Sequence, residues 1–252
     1  MAENFTYKDY TTREQSLEKY NNYQARYADK IRESDKVILS LVDEITQRKN
    51  NTRLKVLDIG CSTGNLLLHL KQNIPEVDYF GGDLASSSLQ KCKENPLLKG
   101  VDFKKIDILN IKDNNQYDVI IINAVMYLLT WEEYQQGLEQ IHKALKPGGI
   151  FINFEWMHPF THQDIVMYET TVFHPEGIRI SVRPIPKVKE KLKIVGFESY
   201  EFIPFSMPFD LEEPPHDEEV VSYTKKLDTG NRLTFRGALY QPWCHMVAHK
   251  SA

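Results

Sequence analysis

Lys55-Val-Leu-Asp-Ile-Gly-Cys-Ser-Thr-Gly-Asn65, followed at once by Leu66-Leu67-Leu68, decides the fold. It reads as a short buried strand, an acid near its carboxyl end, a glycine-bearing turn and a helix. Such a turn lets a ligand approach bare backbone beside the positive end of a helix dipole. In open α/β sheets, ligands bind in the crevice outside the carboxyl ends of the strands.

Further apolar runs follow at 79–84, 102–108, 117–125 and, after the Lys146-Pro-Gly-Gly149 turn, 150–156. Val119-Ile-Ile-Ile122 is apolar at every position, as in a parallel strand covered on both faces. Strands alternating with helical patterns predict a doubly wound, mostly parallel sheet. Upstream, Tyr20, Tyr23, Tyr27 and Ile31, then Val37, Ile38, Leu41, Val42 and Ile45, recur at helical steps. They predict two helices over 16–47, with Ser34-Asp35 as the cap between them. Downstream, prolines break 157–186, although 178–182 alternates like a strand. A helix is expected over 187–195, a strand over 197–205 and an acidic loop over 206–217. The segments 232–238 and 242–250 read as an antiparallel pair at the sheet edge or in a lid.

The 252 residues, 41% of them hydrophobic, suit one compact α/β domain. A net charge of −4 offers no basic field to nucleic acid or to an anionic membrane. The first ten residues show no leader-like apolar core, and the run 119–129, broken by Asn123, is short of the roughly 20 residues of a membrane span. Cys61, Cys92 and Cys244 have no C-x-x-C spacing; they fit a reducing cytoplasm and argue against a disulfide framework or a cysteine zinc site.

Asp58 closes the first strand, and Gly60 and Gly64 frame the turn. Asp83 ends the second strand, about 20 residues on, where a carboxylate can accept hydrogen bonds from ribose hydroxyls. Asp107 and Ile108 suit an adenine amino group and ring edge, and Asn123 ends the fourth strand beneath the reaction centre. A nicotinamide site would want G-x-G-x-x-G, but Ser62 and Asn65 stand in those places, and a P-loop lysine is absent.

Val56-Leu-Asp-Ile-Gly-Cys-Ser-Thr-Gly64 resembles the glycine-rich first motif of the seven-stranded class I S-adenosylmethionine-dependent methyltransferases. Gly82-Asp-Leu84 resembles that family's ribose acid, Asp107-Ile108 its adenine contact, Tyr117-Asp-Val-Ile-Ile-Ile-Asn-Ala-Val-Met-Tyr-Leu-Leu129 its fourth motif, and Leu145-Lys-Pro-Gly-Gly149 the turn before strand five. The likeness runs from about Val37 onward; Ser62 departs from it, replacing the middle glycine. It implies an α/β fold with a seven-stranded sheet, helices on both faces, an N-terminal helical lid over 1–47, a cofactor half over 53–156 and an acceptor half with insertions over 157–252. It also implies S-adenosylmethionine as cofactor and S-adenosylhomocysteine as product. The contacts expected are Asp58, Gly60, Cys61, Ser62, Gly64, Asn65, Asp83, Leu84, Asp107, Ile108 and Asn123; Tyr20, Tyr23 and Tyr27 either pack in the core or belong to the lid, with Tyr27 or Arg26 then on the methionine part.

Methyl transfer from a sulfonium is an in-line displacement that needs alignment and exclusion of water, with a general base for an alcohol acceptor. His158 is the preferred base, with Glu155 beside it. Tyr127 either lines the acceptor pocket or packs in the core, and His174 and His245 rank lower as bases. No metal is expected: Glu155, His158 and His162 match no zinc spacing, and Pro159 breaks any shared helical face. Asn123 is followed by Ala-Val-Met rather than the Pro-Pro-aromatic run of nucleic-acid amino-methyltransferases, and the double-glutamate loop of protein arginine methyltransferases is missing. A small-molecule acceptor remains, with Trp156, Phe160, Tyr168 and Phe173 supplying aromatic surface. O-methylation of a saccharide or secondary metabolite leads; N-methylation of a small amine and a non-catalytic cofactor-binding module are the alternatives. A homo-oligomer is compatible with this composition.

Overall fold

Strand β1 (Lys55–Ile59) sits at the centre of the molecule because both of its faces are apolar. Leu57 and Ile59 point to one side and Val56 to the other, the period of two that a covered parallel strand requires. The structure, a computed structural model, describes all residues except 1–5, 13, 26–29, 50–52, 171–176 and 215–219, and leaves aside the side chains of 10–12, 14–16 and 23.

β1 lies between β2 (Asp78–Asp83) and β4 (Tyr117–Asn123), both parallel to it, with Leu57 opposite Phe80 and Ile120. The sheet continues through β3 (Asp102–Lys105) on one side and β5 (Leu145–His158) on the other. Two later strands complete a path of seven, in the order β3-β2-β1-β4-β5-β12-β8, with β8 at Phe197–Pro204 and β12 at Trp243–Lys250. Only β12 is antiparallel to its neighbours on this path. β6 (Ile165–Glu169) and β7 (Ile178–Pro184) form an antiparallel pair, and β7 joins the end of β5 at Met157 and His158. A separate three-stranded sheet holds β9 (Ser222–Lys226), β10 (Arg232–Arg236) and β11 (Leu239–Tyr240).

Helices cover both faces. α3 (Glu33–Arg48), α4 (Asn65–Asn73) and α5 (Ser86–Glu94) pack Ile38, Val42, Leu67, Leu70 and Leu89 against Val56, Val119, Ile121 and Ile152. On the opposite face, α6 (Trp131–Ala144) and α7 (Ile185–Val195) bring Tyr134, Leu138, Ile141, Val188 and Leu192 onto Leu57, Ile120, Ile122 and Phe151. Two short N-terminal helices, α1 (Tyr7–Thr12) and α2 (Glu14–Ala25), precede them. Among the described residues, no helix is long and apolar enough to cross a membrane.

Three expectations are corrected. Segment 242–250 does not pair with 232–238: β12 is buried along most of its length and fills the slot between β5 and β8, while β10 pairs with β9 through a tight turn closed by Leu227 and Asn231 with Gly230 at φ +88°. The third strand ends at Lys105 rather than 108, because Ile106 turns its N–H to the Asp83 carbonyl and Asp107 caps its own turn through the Leu109 N–H. Ser34-Asp35 does not cap α3; the cap position is Arg32, without a side-chain hydrogen bond.

Helix α6 begins with a capping box, Thr130 accepting from the Glu133 N–H while Glu133 accepts from the Thr130 N–H. Thr130→Ala is expected to cost about 1 kcal/mol and lower the melting temperature by about 2–4 °C. Thermal unfolding followed by circular dichroism checks this; an unchanged midpoint would remove the cap from the account.

Candidate active site

The end of β1 turns sharply. Gly60 adopts φ +78° and gives its N–H to the Gly82 carbonyl at 2.7 Å, and a Cβ there would fall 2.5 Å from Val125 Cγ2. Ser62, where the resembled motif has glycine, also holds a left-handed φ of +50°, a conformation costly for a residue with a side chain. Its N–H reaches Asp83 Oδ2 at 2.9 Å, and its buried hydroxyl has no hydrogen-bond partner. Asp83 Oδ1 accepts from the Ala85 N–H at 2.8 Å, so one carboxylate ties the β1 turn to the β2 turn. Ala124, just past β4, is left-handed too, at φ +57°. Two strained non-glycine residues thus stand at the same rim, the sort of place where strain gathers at functional sites.

Two adjoining clefts open there. The larger, about 790 Å³ including its open mouth, is mostly apolar, with Ile106, Ile108, Leu84, Val125, Leu128 and Leu129 in its walls and Asp83 and Ser88 as polar members. The smaller, about 400 Å³, is charged and is lined by Asp58, Asp35, Arg32, Gln24, Cys61, Thr63 and Asn65 among others. Tyr20, Gly60, Ser62 and Asn123 belong to both.

The charged cleft gathers carboxylates in an uncommon way. Asp58 is 2% exposed, and its pKa is pushed up to about 8, first by burial and then by the charges of Asp35 and Asp83. Burial also raises Asp35 and Asp83, although Asn123 Nδ2 donates to Asp35 at 2.8 Å and backbone N–H groups serve Asp83. Arg32 stands nearby and donates to Gln24 Oε1.

The N-terminal helices roof the clefts. Tyr7 donates to Asp107 Oδ1 at 2.9 Å and Lys8 lies 3.3 Å from its Oδ2. Ser88 Oγ meets Asn21 Oδ1 at 3.2 Å, and Asn65 Nδ2 donates to the Gln24 carbonyl at 3.1 Å. Tyr7, Leu17 and Tyr20 consequently face the larger cleft.

Of the residues expected at the cofactor, Asp58, Cys61 and Asn65 line the charged cleft, Asp83, Leu84 and Ile108 the apolar one, and Gly60, Ser62 and Asn123 both. Gly64 turns instead toward Leu98 and Cys92, where a Cβ would meet Leu98 Cδ1 at 2.7 Å. Asp107 lines neither cleft, its carboxylate being engaged by α1 and the Leu109 N–H while its neighbours face inward. Tyr27, Arg26, Phe173 and His174 lie outside the described residues.

None of the acceptor-side residues Glu155, His158 and Tyr127 lines either cleft. Glu155 is 0% exposed in the core and faces Arg183 at 3.8 Å, away from both clefts. His158 is buried where β5 meets β7; its Nδ1 accepts from the Phe160 N–H at 3.2 Å, burial lowers its pKa, and it lines neither cleft. Tyr127 stacks on Trp156 with centroids 5.9 Å apart, and its hydroxyl is raised by burial and by Tyr20. His162 is exposed. His245 is buried against the Ser34 carbonyl at 3.0 Å, and burial takes its pKa down to about 4. Asp35, Arg32, Gln24, Ser88 and Tyr7 were missed. Reading Asp35 as a cap assigned its carboxylate to backbone, and nothing local marks the others.

A family model described as a methyltransferase domain matches residues 56–149, the stretch that builds β1 to the start of β5 and most of the cleft floor. Over those residues the chain is similar to methyltransferase domains. A carboxy-S-adenosyl-L-methionine synthase of Campylobacter hominis is 32% identical over 46% of the chain and 50% of that protein. A malonyl-[acyl-carrier protein] O-methyltransferase of Haemophilus ducreyi is 31% identical over 50% of the chain and 49% of its own length. The chain thus spans about half the length of these curated relatives. An S-adenosylmethionine-dependent methyltransferase of Methanosarcina mazei shares the fold at a TM-score of 0.59, with 15% identity over 82% of the chain and 97% of that structure.

S-adenosylmethionine fits this lining. S-adenosylmethionine carries a sulfonium and an ammonium against one carboxylate, so a cleft with surplus negative charge, one arginine and an orphaned Ser62 hydroxyl complements it. An ammonium placed beside Asp58 would favour its ionised form, whereas burial and the neighbouring carboxylates push the acid's pKa up to about 8. Binding therefore releases a proton below that pH, and affinity is expected to rise as pH climbs from 6 toward 8 and then level off. Titration calorimetry in buffers of different ionisation enthalpy measures the released proton; a pH-independent affinity, or a slope surviving in Asp58→Asn, removes this linkage. Separately, Ser62→Gly is expected to relieve backbone strain and raise stability by about 1 kcal/mol, read from chemical denaturation.

Proposed function

We propose that the protein transfers the methyl group of S-adenosylmethionine to an oxygen of a small-molecule acceptor, a saccharide or secondary metabolite. The observation that carries this reading is the convergence of Asp35, Asp58 and Asp83 with the glycine turn on one pair of adjoining clefts beneath an N-terminal roof. In this reading Asp83 takes the ribose hydroxyls and Leu84, Ile106 and Ile108 the adenine, while Asp58 and Asp35 face the ammonium and Arg32 the carboxylate. The cofactor, when bound, supplies an already activated methyl group; the chain's part is to orient it and to keep water out. Tyr7, Leu17 and Tyr20 serve the second task by closing the roof.

The acceptor enters on the side of Asn123 and Tyr20. Tyr127 stacked on Trp156, Trp243 edge-on to Trp156 at 5.2 Å, and the Arg236–Glu169 pair at 2.5 and 2.7 Å give that side aromatic faces with few charges. Such a surface suits a sugar ring or a natural-product scaffold. The Haemophilus relative's name supports oxygen as the accepting atom. The Campylobacter relative's name favours a second reading, in which the ligand is a carboxylated form of the cofactor and Arg32 meets the added carboxyl.

Incubation with methyl-labelled cofactor and a metabolite extract tests the proposal. Incorporation is expected, lost by at least about 100-fold in Asp83→Ala and retained within about threefold in His158→Ala. Tight cofactor binding without incorporation would leave a binding module. A co-purifying ligand heavier than the cofactor by the mass of CO2, one hydrogen having been replaced by a carboxyl group, would select the second reading.

A further inference from the structure

Arg183 is a full charge in the core, yet its shortest hydrogen bond does not go to its counter-ion. Its side chain is 1% exposed; Nη2 donates to the Leu129 carbonyl at 2.6 Å, whereas Glu155 Oε1 stands 3.8 Å from Nη1. Neither Glu155 oxygen, nor Arg183 Nε or Nη1, has a hydrogen-bond partner. The guanidinium is held flat by Tyr134 and Trp131, at 4.3 and 5.1 Å from the ring centroids. Arg179 Nη1 reaches the same Leu129 carbonyl at 2.9 Å, with Ser181 Oγ at 3.4 Å. Three consecutive inward residues of one strand thus converge on a single backbone oxygen.

Buried ion pairs are poor stabilisers, and a pair whose members do not hydrogen-bond each other is poorer still. What this cluster does hold is the segment 124–130, which leaves β4 and forms a wall of the larger cleft through Ala124, Val125, Leu128 and Leu129. We propose that Arg183, kept in the core by Glu155, is a positioning residue that fixes the 124–130 wall of the cofactor cleft through the Leu129 carbonyl. This rests on the cofactor reading above, since the wall matters only if that cleft is the binding site.

Glu155→Leu/Arg183→Met separates positioning from stability, because it removes both buried charges at once and leaves apolar side chains of similar size. The expected result is a melting temperature near that of the wild type, faster hydrogen exchange in 124–130, and a cofactor dissociation constant raised about tenfold, the scale of one charge-assisted hydrogen bond. Glu155→Leu alone, which keeps the Leu129 bond but strands the cation, is expected to lower the melting temperature while holding the dissociation constant within about twofold. Should the double variant not fold, Arg183→Lys keeps a charge beside Glu155 without the flat fork, and its weakened binding serves as the readout. Wild-type exchange and affinity in the double variant, or in Arg183→Lys, overturn the proposal. Faster exchange without any cofactor binding by the wild-type protein would refute the assigned cleft while leaving Arg183's hold on the segment established.

Discussion

Burial of like charges at the open end of a parallel sheet is the constraint around which this molecule is arranged. Asp58 lies at the end of a strand covered on both faces, where water cannot solvate it, and Asp35 and Asp83 add their fields to its own. A folded protein tolerates such an arrangement only if something offsets it. Backbone N–H groups of the turns serve Asp83, Asn123 serves Asp35, and Asp58 is left to hold its proton. The site is therefore held ready for a cation, and S-adenosylmethionine is one.

The glycine turn and the roof follow from the same demand. Backbone must come close to the ligand, so Gly60 occupies a place where a Cβ would strike Val125, and Ser62 and Ala124 accept left-handed conformations at the rim. The roof closes through hydrogen bonds that cross long sequence distances, Tyr7 to Asp107 and Asn21 to Ser88. Asp107 thereby becomes an anchor for α1 rather than a wall of the cleft.

On the acceptor side, the polar residues after strand five serve the interior. Glu155 and Arg183 occupy the layer between the sheet and α6, and His158 is absorbed in the joint between β5 and β7. Tyr127 and Trp243 both pack on Trp156, whereas Phe160 and Tyr168, expected to supply aromatic surface, are exposed, and the small sheet β9–β11 is tied to β6 by the Arg236–Glu169 pair.

The doubly wound sheet, the strand-end acids Asp58 and Asp83, the glycine turn and the apolar pair Leu84 and Ile108 were legible in the residues alone. Each of these is a local matter: strand periodicity on a two-faced sheet and turn chemistry are written within a few residues. Contacts made on folding set the rest: 242–250 is an interior strand, Asp35 of α3 and Arg32 just before it reach the charged cleft, and Glu155 is a core ion pair. Those outcomes depend on which segments meet after folding, and a carboxylate in a helix's first turn reads the same whether it caps a backbone or faces a ligand. Position in the chain marks a residue's neighbours along the backbone; burial and partners come from contacts scores of residues away.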